Sequence, residues 1–228
     1  MKLSAIKRIC MDAKRFVIYE GRDGTQWIGT PEVAFPDWER IFTKSNVDDV
    51  FDLSEQQQSK AAILSGSLED SGLQPVENVI GAEHALMRAG MPVLFYDEMC
   101  LPLNNYGKLY VIELDKVKAA ASNGEPYMRF YLGKNEKDEP LVCLSDGLIC
   151  GGIIRPKSPG FAKRVQAWLV EYGMLEIAEW RRPDEELDEH KEEIDGQIGI
   201  DEMEEEVAKA IEQMHAEDDD APEDDEKG

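Results

Sequence analysis

Histidine and cysteine are scarce in this chain: three of one and four of the other in 228 residues. The cysteines (Cys10, Cys100, Cys143, Cys150) include no CxxC pair and have no histidine at ligand spacing, which argues against a zinc site and a disulfide framework. Cys143 and Cys150 leave two readings open, a redox-sensitive pair or two buried thiols acting as small hydrophobes in a reducing compartment. His190 and His215 fall in an acidic tail, so a Ser/His/Asp or Cys/His arrangement would have to use His84, and no GxSxG nucleophile motif is present. Gly151-Gly152 lies in a predicted strand and Gly133-Lys134 lacks Walker spacing, so neither predicts a phosphate cradle. Asp97 and Glu98 are conceivable divalent-metal ligands, but a hairpin turn is the preferred reading of that dipeptide. No catalytic, cofactor or metal site is expected.

Long apolar runs are missing too. None approaches the roughly 18 residues of a membrane span, and MKLSAIKRICMDAKRF has no apolar segment of signal-peptide length. A soluble, cytoplasmic protein without membrane partners is the expectation. Basic charge is in deficit: 25 Lys+Arg stand against 48 Asp+Glu, a formal net charge of −23. The deficit is uneven, because residues 181–228 hold 5 basic and 22 acidic residues, net −17, and residues 1–180 carry the remaining −6. A body without a basic footprint argues against direct nucleic-acid binding.

What the chain does have is β-sheet patterning. In Pro140–Pro156, PLVCLSDGLICGGIIRP, two apolar runs flank Asp146-Gly147, the dipeptide suited to a two-residue hairpin loop. That loop would set Cys143 opposite Cys150 and Leu144 opposite Ile149. Both faces of the hairpin are apolar, so something must cover each side. Before it, SAIKRICMDA predicts a helix capped by Ser4, followed by strands FVIYEG, TQWIGT and EVAFP. Val47–Leu53 reads as extended, and Ser54 as the cap of a helix running to Leu64. Val76–Met87 leaves helix and strand open. A hairpin about Asp97-Glu98 and the strand KLYVIEL come next. Helix DKVKAAAS and strands YMRFYLG, PLVCLS and LICGGIIRP then repeat the opening order of elements. Phe161, Val165, Trp168, Leu169 and Tyr172 form the apolar stripe of a further helix.

The expected fold class is therefore α+β: antiparallel sheet built from two helix-strand-strand-strand units with packed helices, plus an acidic C-terminal tail. The divisions are a first unit over 1–64, a Ser/Gly/Pro-rich linker over 65–75, a second unit over 76–180, and the tail over 181–228. Composition predicts a solvated tail, except at about 199–216. There Ile200, Met203, Val207, Ile211 and Met214 recur at helical steps, with Glu204, Glu205 and Glu206 as a charged face. Such an isolated helix is marginal in water. It should dock on its own body, self-associate, or seat in the basic or apolar groove of a partner protein.

Three stretches carry a resemblance: KLSAIKRICMDAKRFVIYEGRDGTQWIGTPEVAFP; DDVFDLSEQQQSK; and LPLNNYGKLYVIELDKVKAA with LVCLSDGLICGGIIRP. They resemble a family of small uncharacterised proteins carried by phages and prophages of Gram-positive gut bacteria, over roughly residues 1–60 and 92–175. The order of helix and strands is similar to the halves of a bacterial sliding-clamp domain. That resemblance implies a clamp-like fold and supplies no catalytic residues. It also departs from a working clamp: one domain cannot close a ring without many copies, and helices basic enough to line a DNA hole are not evident. The function it implies is that of a non-enzymatic phage accessory protein working by protein contact, with an anionic DNA-mimic inhibitor of a host nuclease or defence protein as the alternative. An enzyme is the third reading, one that a saturable small-molecule ligand at His84 or in the Tyr96–Cys100 hairpin would revive.

Overall fold

The structure is a computed structural model that describes residues 2–77, 79, 84–121, 128–146 and 149–172. Met1–Trp180 form one compact unit, separate from Arg181–Gly228.

Alternation along the strands decides how the body is layered. In β1 (Arg15–Glu20), successive side chains point to opposite faces, sending Phe16 and Ile18 to one side and Val17 and Tyr19 to the other. The same division holds in β2 (Gln26–Thr30), β3 (Val33–Asp37), β9 (Met128–Lys134), β10 (Pro140–Asp146) and β11 (Ile149–Ile154). Both faces are apolar, so both need cover. On one, α1 (Leu3–Asp12) and α4 (Leu114–Ala120) pack against each other and over Ile28, Phe35, Val142, Leu144 and Ile154. On the other, Leu68, Leu73 and Val79 close over Val17, Trp27, Leu141, Cys143 and Ile153.

The fold is mixed α+β with a large, mostly antiparallel sheet. Its strand order is β4-β1-β2-β3-β11-β10-β9-β5-β7-β6, with β4 (Ala62–Ser67), β5 (Ala85–Arg88), β6 (Val93–Phe95) and β7 (Glu98–Asn105), and with β8 (Lys108–Glu113) pairing β7. Outward from the β3–β11 junction the order mirrors itself, β2 then β1 on one side and β10 then β9 on the other. Each half is preceded in the chain by its helix, α1 or α4. β1 and β4 are parallel; the remaining pairings are antiparallel. A third cluster lies under α5 (Pro159–Glu171), where Ala162, Val165 and Leu169 meet Cys100, Leu109 and Val111. Ser158 caps α5, its Oγ accepting from the Phe161 N–H at 3.3 Å. Tyr172, expected on the buried stripe, is 61% exposed and lies against Trp168 instead.

Several local expectations are corrected. Asp146 pairs with Ile149, so the residues between the last pair are 147–148, one step beyond the expected Asp146-Gly147 loop. Cys143 therefore faces Ile153, and Cys150 faces Ser145. A bulge between Leu144 and Ser145 absorbs Gly151 and keeps Cys143, Ser145 and Cys150 on one face. The β6–β7 hairpin turns at Tyr96-Asp97, both at positive φ, rather than at Asp97-Glu98. Ser4 is not the cap of α1; Lys2 is, and its N–H donates to the Ala119 carbonyl at 3.0 Å, seating the helix start on α4. Val47–Val50 is a short helix, α2, not an extended segment. Val47 and Phe51 are drawn into the core, where Phe51 stacks on Phe42 at 5.0 Å.

Ser54 does cap a helix, through a capping box with Gln57, but that helix, α3, stops at Gln58. The sequence beyond it is claimed by β1: Ile63 pairs with Phe16 and Leu64 with Val17, which gives the open edge of β1 its backbone partners. The expected linker is accordingly structured: Ser65–Ser67 belong to β4, and Leu68 and Leu73 are fully buried. Arg22 and Arg155 fasten this segment. Arg22 pairs with Glu69 at 2.8 Å and with Glu136, while Arg155 donates to Glu139 at 2.8 Å and to the Ser71 carbonyl at 3.1 Å.

Candidate functional site

The mirrored halves meet at β3 and β11, and two clefts open beside that junction. Trp38 and Cys150 line both. The first, about 360 Å³, has Trp27, Cys143 and Ile153 among its lining residues, with Pro75 and Val79 from the covering segment. The second, about 610 Å³, is lined by Leu3, Trp38, Ile41, Ala120 and Ile149, with Glu39 and Asp146 supplying carboxylates. Trp38 is 57% and Ile149 61% exposed, so large apolar groups stand open to solvent there.

Sequence explains how these side chains are held. Asp37 ends β3 almost fully buried, and its carboxylate accepts from the Ile41 and Phe42 amides at 3.1 and 3.0 Å and from Gln26 Nε2 at 3.2 Å. Its oxygens are committed to folding the 38–42 loop that presents Trp38. Trp27 is oriented by a short relay: its indole N–H donates to Thr25 Oγ1 at 3.1 Å, and the Thr25 hydroxyl in turn donates to Asp23. Those Thr25 bonds, from hydroxyl and amide, hold the Asp23 carboxyl below its ordinary value.

The thiols in this region are not poised to react. Burial pushes Cys143 and Cys150 up, and the neighbouring Cys150 pushes Cys143 further. A nucleophilic cysteine needs the opposite shift. The chemistry the clefts offer is therefore reception of an apolar or aromatic group beside a few fixed carboxylates.

Residues singled out in the sequence fall elsewhere. His84 begins the β5 region, half-buried. Glu98 takes an ion pair from Lys157 Nζ at 2.6 Å, and the same ammonium reaches Glu113 at 2.6 Å, which leaves Asp97 as a turn residue. Among the described residues no group of three or more His, Cys, Asp or Glu is placed to hold a metal ion, and no helix is long and apolar enough to cross a membrane. Ile200, Met203, Glu204, Glu205, Glu206, Val207, Ile211 and Met214 lie outside the described residues, as does the whole expected helix at 199–216. Sequence reading passed over Trp38 and Ile149. The available signal was a tryptophan between acidic residues directly after a strand, too common a pattern to single out.

No protein-family model, curated protein or solved structure matches this chain at a significant level.

Proposed function

We propose that this chain is a non-enzymatic, phage-derived accessory protein that acts through protein–protein contacts. A clamp-like body serves as scaffold and an acidic C-terminal segment as the docking element. The observation that carries the reading is the separation of charge: residues 181–228 hold 22 acidic and 5 basic residues, and the apolar steps from Ile200 to Met214 sit inside that block. A segment of this composition gains by seating its apolar stripe in a partner's groove while its carboxylates face basic rim residues. The mirrored strand order about β3–β11, with α1 and α4 packed on one face, is what two helix-strand-strand-strand units of a clamp-like domain would give, and it supports the scaffold role.

A second reading draws on the same charge. A net of −17 over 48 residues is dense enough to imitate a nucleic-acid backbone and to occupy the basic groove of a host nuclease or defence protein. Salt separates the two, since a charge-driven contact weakens steeply as ionic strength rises and an apolar contact does not. The test is affinity capture from host lysate with the full chain and with a chain ending at Arg182, washed at low and at high salt. Partners lost on truncation but retained at high salt support docking. Partners lost on truncation and at high salt support mimicry. Identical partners for both chains would place the function in the body and overturn both readings.

A further inference from the structure

β4 is an edge strand without the usual protection. Edges are commonly blunted by charged residues or proline, yet Ala62–Ser67, AILSGS, has neither. At the other end of the sheet, β8 is engaged: its Val111 carbonyl accepts from Lys157 N–H at 2.8 Å, and α5 packs on it. Among the described residues nothing pairs with the outer side of β4.

The polarity of that outer side follows from the inner one. Ala62 N–H donates to the Lys14 carbonyl at 3.1 Å and Leu68 N–H to the Glu20 carbonyl at 2.9 Å. In a parallel ladder every second residue bonds to the same neighbour, so the even-numbered residues face β1. Ile63, Ser65 and Ser67 turn their N–H and C=O groups outward. The Ser67 carbonyl already accepts from Ser71 N–H at 3.2 Å and has one lone pair left.

We propose that β4 is a self-pairing edge, and that two copies of this chain join antiparallel through it about a two-fold axis at Ser65. This register uses every outward group. Ser65 exchanges two bonds with Ser65 of the second copy, and Ile63 exchanges two with Ser67 in each direction, about six backbone hydrogen bonds in all. One further feature matches it. Leu64, 44% exposed, comes opposite Gly66, where an added Cβ would meet no heavy atom within 4 Å, so the leucine side chain has room to lie flat. The contact is isologous and closes at two copies. It stands independently of the role given to the acidic segment.

Sedimentation velocity of the full chain over a concentration series at physiological salt tests this. The wild type is expected to be a reversible dimer. Ser65→Pro removes an outward N–H and no bond to β1, so it should weaken the dimer at least about tenfold while circular dichroism and the unfolding midpoint report a folded protein. Ser65→Glu should weaken it as well, by setting two carboxylates opposite each other at the axis, and mixing that variant with Ser65→Lys should restore a dimer, which a merely misfolded variant would not do. A wild type that stays monomeric throughout the series would overturn the proposal. So would a dimer indifferent to Ser65→Pro and to charge placed at residue 65, since its contact would lie elsewhere on the chain.

Discussion

Gly29 and Val33 approach so closely across the β2–β3 hairpin that a Cβ added to Gly29 would lie 2.0 Å from the Val33 carbonyl oxygen and 3.0 Å from Ala34 Cα. The obstacle is backbone, which cannot rotate away as a side chain would. Gly29 also pairs with Val17 in β1 and Ala34 in β3, so the strand has neighbours on both sides and little room to shift. Gly29→Ala is expected to destabilise the fold by about 1–3 kcal/mol or more, read as a lower denaturant midpoint. Gly160→Ala is the control: in α5 an added Cβ meets nothing within 4 Å, and the substitution should stabilise by about 0.4–1 kcal/mol. Equal midpoints for the two variants would refute the close approach.

Lys157 joins Glu98 and Glu113, each at 2.6 Å, and Lys116 reaches Glu113 at 3.0 Å. Burial alone would raise the Glu113 pKa, but Lys116 and Lys157 outweigh it and hold the carboxyl below its ordinary value of 4.5. For Lys157, burial acts downward, and Glu113 and Glu98 outweigh it to push the ammonium above 10.5. The signs then differ. The Glu113 contribution is present above its unfolded pKa and is lost as pH falls through the lower folded value. The Lys157 contribution is complete below its unfolded pKa and is lost as pH rises through the higher folded one. Lys157→Met should cost about 1–3 kcal/mol near neutral pH, by removing hydrogen bonds between charged groups, and should reduce the change of stability at both extremes. An unchanged pH–stability curve in the variant would count against this bridge.

Thiol labelling should be slow in the folded state at neutral pH. Burial pushes Cys10 up to about 12 and Cys100 up to about 11, the latter helped by Glu98, and Cys143 and Cys150 are raised as well. The reactive species is the thiolate, so all four should react far more slowly than in the unfolded chain. Cys150, the one cysteine short of full burial, should lead among them. Rapid native-state reaction at Cys143 would contradict its placement under Leu68, Leu73 and Val79.

In the acidic segment, Met203→Ala with Val207→Ala should lower affinity for a partner retained at high salt by about tenfold or more, the size of a hot-spot loss. Replacing Glu204, Glu205 and Glu206 by glutamine should chiefly flatten the salt dependence. Partner profiles unchanged by both sets would end the docking proposal.

How much was legible in advance depends on the range of the forces involved. Periodicity located α1, β1, β2, β3, β8, α4, β9, β10 and α5, because alternation and helical spacing are properties of neighbouring residues. It also implied cover on both faces of the Pro140–Pro156 hairpin, since apolar side chains there point both ways. The failures share a cause. Ala61–Ser67 has the local makings of a helix end and a linker, and only the edge of β1, more than forty residues earlier, draws it into a strand. Within Val47–Leu53, Val47–Val50 became helical because Phe51, which ends that turn, had Phe42 and Phe16 to pack against. Asp146-Gly147 lost its expected place in the loop when pairing of β11 with both β10 and β3 set the register and left Gly151 as a bulge. The clefts around Trp38 and Cys150 were invisible for the same reason, since their walls come from five or more separate stretches of chain. Local order and the uneven placement of charge were determined by the sequence itself, through propensity, alternation and composition. Register, strand neighbours and the exposed edge of β4 were decided by the tertiary structure, because backbone hydrogen bonds between distant segments are completed only when the whole sheet is assembled.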